Sequence, residues 1–80
     1  MPTNPVFPII GIGASAGGVE ALEGFFHAMP SDTGMAFVVV THMPRGHATT
    51  LAEIISRYTT MPALNIRHDQ PIEPNHVYIC

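Results

Sequence analysis

The twelve residues from Ile9 to Glu20, IIGIGASAGGVE, constrain this chain more than any other stretch. They pass from an apolar run, through small residues around one hydroxyl, into the start of an amphipathic helix. A strand that turns this tightly into a helix is the opening unit of an α/β fold. At its centre, Gly13-Ala14-Ser15-Ala16-Gly17 spells G-x-S-x-G, the spacing that presents a nucleophilic serine on a strand-to-helix turn. The flanking glycines are expected because a side chain there would obstruct the turn or an approaching substrate. Small-residue turns after a first strand also occur without chemistry. Ser15 is therefore either a nucleophile or part of a tight structural turn.

The remaining periodicities extend this unit. Residues 1–7 hold two prolines and predict an irregular lead-in. Pro8 to Gly13 lacks polar alternation and predicts a strand buried on both faces, as in a parallel sheet. From Gly18 the period becomes helical: Val19, Leu22, Phe25, Phe26 and Met29 share a stripe, with Glu20 and Glu23 early where the helix dipole favours acids. Pro30 stops that helix, and Ser31-Asp32-Thr33-Gly34 reads as a turn. Met35 to Val40, rich in β-branched residues, predicts a second buried strand. Strand, helix and strand in succession make a βαβ unit with parallel strands and a right-handed crossover. Thr41 to Gly46 predicts a loop. His47 to Tyr58 predicts a second helix with Leu51, Ile54, Ile55 and Tyr58 inward. Ala63 to Arg67 reads as a third strand, His68 to Asn75 as a loop, and His76 to Cys80 as the start of a further strand. The expected fold is thus the N-terminal portion of a doubly wound, mostly parallel, Rossmann-like α/β sheet in βαβαβ order.

Composition bears on completeness and partners. The 80 residues are 46% hydrophobic and only 11% charged, against about 25% charged in a typical soluble domain. Such a chain has little polar surface with which to cover itself. Residues 1–80 therefore read as a single incomplete domain, or one completed by a partner chain, and an open sheet edge would favour self-association. Arg45, Arg57 and Arg67 are the only basic residues apart from histidine and are scattered, which argues against a nucleic-acid partner. No apolar run reaches the roughly 18 residues of a membrane span. The lone cysteine, Cys80, cannot staple a domain and fits a reducing, cytoplasmic setting.

Sites in parallel α/β sheets form beyond the C-terminal ends of the strands. Ser15 follows the end of strand one and His42 the end of strand two. If strands one and two are neighbours they lie about 4.8 Å apart, and a hydroxyl and an imidazole would then share one rim. Imidazole can take the proton that makes a serine hydroxyl nucleophilic. The backbone N–H groups of Ala16 and Gly17 open the helix and face the serine, which favours an oxyanion on an attacked carbonyl. No third triad member stands out. Asp32 lies at the opposite end of strand two, and Asp69, at or past the end of strand three, stays open. His27 reads as a surface residue and His47 as part of a helix start, while His68 and His76 lack metal-ligand spacing. The rival reading is a nucleotide site, since Gly11-x-Gly13-x-x-Ala16 fits a loose dinucleotide fingerprint. That fingerprint expects an acid after strand two, where Thr41 and His42 stand instead.

Taken together, Ile12-Gly13-Ala14-Ser15-Ala16-Gly17-Gly18, His42-Met43-Pro44 and Pro74-Asn75-His76-Val77-Tyr78-Ile79 resemble the chemotaxis protein-glutamate methylesterase family, that is, the CheB-type catalytic domain. Asp32 to Val40 is most similar to hybrid members in which this domain precedes a receptor methyltransferase domain. The resemblance implies hydrolysis of glutamate γ-methyl esters on methylated chemoreceptors, with glutamine deamidation in some members. It implies a Ser-His-Asp triad without metal or organic cofactor. The serine falls on Ser15, the histidine on His42, and the aspartate downstream of Cys80. Two departures bear on rate and fine specificity: Ala16 where stand-alone members often carry threonine, and Thr41 where glutamine is common. The alternative expectation is a non-catalytic regulatory, anion-binding or nucleotide-binding module of the same fold.

Overall fold

The computed structural model describes residues 6–41 and 47–80. Most of the predicted loop between Thr41 and Gly46, and the first five residues of the lead-in, lie outside the described residues. Four strands and two helices follow in the order β1 (Ile9–Ala14), α1 (Val19–Ala28), β2 (Ala36–Thr41), α2 (His47–Ser56), β3 (Ala63–Asn65) and β4 (Val77–Ile79). A single 3₁₀ turn, Ala16–Gly18, joins β1 to α1. The sheet is entirely parallel, in the order β1-β2-β4-β3. The fourth strand is thus inserted between the second and third.

Both helices pack on one face of the sheet. Leu22 and Phe26 of α1 and Leu51, Ala52 and Ile55 of α2 form one core with Phe37, Val39, Val77 and Ile79. The strand residues in that list alternate along β2 and β4, as one face of a pleated sheet requires. Phe37 pairs with Val77 and Val39 with Ile79, so the apolar rows stay in register beneath the helices. Rings of Phe25, Phe26 and Phe37 meet edge to face at centroid distances of 5.0 to 6.0 Å. Such pairs add roughly 0.5–1.5 kcal/mol beyond the area they bury.

The opposite face corrects the expectation that the first strand is buried on both sides. Ile9, Gly11 and Gly13 are exposed, while Ile10, Ile12 and Ala14 are half-buried against the helices. Ile9 is 55% exposed and Val40, at the other end of the same face, 53%. No described helix lies over this side. An apolar strand run predicts cover on both faces but does not say which part of the protein would supply it.

Over β4 the bare face is closed by a loop. Tyr78 points away from the helices and is fully buried. Its hydroxyl accepts the Glu73 N–H at 2.9 Å and donates to the Pro71 carbonyl at 3.3 Å. The His76 ring stacks on it at 6.0 Å.

Element ends differ from the predicted ones by at most two residues. The last residue of α1 is Ala28, and the Met29 N–H still bonds to the Phe25 carbonyl at 3.1 Å. The second helix ends at Ser56, where the hydroxyl bonds back to the Ala52 carbonyl at 2.8 Å. Tyr58 consequently lies beyond the helix and is exposed rather than inward. None of the described helices is long and apolar enough to cross a membrane.

Candidate active site

Ser15 stands where β1 ends and the 3₁₀ turn begins, with extended backbone (φ −94°, ψ 173°). The Gly18 N–H closes the turn onto the Ser15 carbonyl at 2.9 Å. A serine at the head of a helical turn ordinarily accepts a backbone N–H with its side chain. Ser15 makes no such capping bond and is exposed. Its hydroxyl is therefore not used to hold the turn. That observation favours the nucleophile over the structural turn residue.

Of the two reasons the sequence suggests for the flanking glycines, the turn geometry does not hold. Neither Gly13 nor Gly17 adopts the left-handed conformation, and a Cβ at Gly13 would meet nothing within 4 Å. The turn itself does not need them. A Cβ at Gly17 would lie 4.0 Å from Ser15 Oγ, so glycine there leaves one flank of the hydroxyl open. On the outer side of β1 an open cavity of about 390 Å³ is lined by Ile12, Ala14, Ser15, Leu22 and Phe25, among others.

The first N–H groups of a helical turn have no place in its internal hydrogen-bond ladder. Gly18 supplies the first N–H used here. Those of Ala16 and Gly17 precede it, immediately after Ser15. The predicted pairing of β1 with β2 holds along six residues and ends at Ala14 opposite Thr41. The next residue after Ala14 is Ser15, and the next after Thr41 is His42. His42 lies outside the described residues.

The carboxylates are elsewhere. Asp32 is exposed in the turn before β2, at the opposite rim. Asp69 sits in the loop after β3 with φ 62°, its carboxylate 3.6 Å from the His68 ring and both side chains almost fully exposed. His27 is exposed on α1, edge-on to Tyr58 at 6.4 Å. His76 bonds to the Pro74 carbonyl at 2.8 Å and serves the Tyr78 loop. Among the described residues, no three His, Cys, Asp or Glu side chains come together as a metal would need.

One rim contact escapes sequence reasoning. The Thr41 N–H reaches the Cys80 carbonyl at 3.5 Å, and the Cys80 N–H bonds to the Val39 carbonyl at 2.8 Å. The end of β4 thus braces the backbone that leads into His42. Only the insertion of β4 beside β2 creates this contact, and no local periodicity announces that insertion.

Comparison with known proteins agrees with this geometry. Residues 10–80 match the family model described as CheB methylesterase. A protein-glutamate methylesterase/protein-glutamine glutaminase of Xanthomonas euvesicatoria pv. vesicatoria is 38% identical over 71 residues, which is 89% of this chain and 20% of that protein. One from Geobacter metallireducens is 37% identical over 71 residues and 19% of its length. The crystal structure of the Thermotoga maritima CheB methylesterase catalytic domain superposes with a TM-score of 0.87 at 28% identity, over 94% of this chain and 40% of that one. The chain spans about a fifth of the length of the curated relatives it matches. These likenesses support the esterase reading and not the nucleotide-binding alternative, and the chain belongs to the CheB methylesterase family.

Proposed function

We propose that residues 1–80 are the N-terminal part of a cytoplasmic protein-glutamate methylesterase domain that acts on methylated chemoreceptors. The same site would deamidate glutamine, since esters and amides pass through similar tetrahedral intermediates. Ser15 is the nucleophile, His42 the general base, and the Ala16 N–H an oxyanion donor. A downstream aspartate orients the imidazole. The observation that carries this reading is the register that ends at Ala14 and Thr41, with the unused Ser15 hydroxyl next in line.

The chemistry follows from those roles. His42 removes the Ser15 proton as Oγ attacks the γ-carbonyl carbon of the glutamyl methyl ester. The carbonyl oxygen gains charge and is held by the backbone N–H groups of the turn. Collapse expels methanol, which takes the proton from the imidazolium, and leaves an acyl ester on Ser15. His42 then deprotonates water, which attacks the acyl carbon and frees glutamate and Ser15. With a glutamine side chain the first leaving group is ammonia.

The test is methanol release from methylated receptor by the full-length protein. Ser15→Ala should abolish release while the protein remains folded. Retained release would overturn the assignment.

A further inference from the structure

We draw no further inference here: the strongest candidate, the open apolar cavity between β1 and α1 that Ile12, Leu22 and Phe25 line beside Ser15, shares its serine with the site already described, and nothing in the structure shows what covers it along the unpaired edge of β1.

Discussion

Ala14 of β1 and Thr41 of β2 are parallel register partners at the C-terminal end of the sheet, and the proposed chemistry depends on the residue that follows each. If Ser15 and His42 act as one unit, removing either should disable the same step. In the full-length protein, Ser15→Ala and His42→Ala are each expected to lower kcat by at least about 10³-fold, and the double variant by no more than the worse single one. Methanol release under single-turnover conditions measures this. Multiplicative losses in the double variant would mean that the two residues act separately.

The individual strands, the helices and the serine turn were legible because they are local. Val19, Leu22, Phe26 and Met29 recur at helical spacing, and all four meet the core. Val40 and Ile9 misled for a physical reason: an unbroken apolar run predicts cover on both faces, and over these two residues the described helices supply it on only one. The place of β4 was also hidden. The Phe37–Val77 pairing links residues forty positions apart, and neither local sequence states it. At the site, Ser15 could be placed from G-x-S-x-G, but its lack of a capping bond is a fact of geometry. The purpose of Asn75 was unreadable, because its backbone and side chain both answer to the turn before β2.

That purpose can be tested. Asn75 holds φ 61°, its N–H bonds to the Met35 carbonyl at 2.7 Å, and its Oδ1 accepts the Gly34 N–H at 2.7 Å. Gly34 itself has φ 80°. These bonds tie the loop before β4 to the start of β2. Asn75→Ala leaves the Gly34 N–H without its acceptor, at about 1–3 kcal/mol, and places a less tolerant residue in the left-handed region, at roughly 1–2 kcal/mol more. Asn75→Gly should lose only the first contribution. Chemical denaturation of the full-length protein distinguishes them. Equal losses in the two variants would show that the backbone conformation contributes nothing.

Gly34 gives an independent check on the same turn. Its φ of 80° lies in the left-handed region that favours glycine over alanine, and a Cβ there would touch nothing within 4 Å. Any loss in Gly34→Ala therefore reports conformation and not collision. We expect about 1–2 kcal/mol. A variant as stable as the parent would mean that the turn relaxes without strain.

Tyr78→Phe isolates the loop over the second face. The ring stays, so packing is preserved, and only the hydroxyl's bonds to Glu73 and Pro71 are lost. A loss of about 0.5–1.5 kcal/mol is expected, together with faster backbone exchange at Glu73. Unchanged exchange at Glu73 would show that the hydroxyl does not hold the loop.

Val40 tests whether residues 1–80 belong to a larger doubly wound domain. It is 53% exposed on the face that no described helix covers. In a doubly wound fold, helices lie over both faces of a parallel sheet. The rest of the domain would then bury Val40. Val40→Asp in the full-length protein should strand a short carboxylate that cannot reach water, at a cost of at least about 3 kcal/mol. In the 80-residue chain alone the same face and the unpaired edge of β1 remain available for association. There Val40→Asp should instead reduce oligomerisation, measured by light scattering across a concentration series. A change within about 0.5 kcal/mol in the full-length protein is what an exposed site produces. That result would mean that the face stays bare and that the proposed larger domain is wrong.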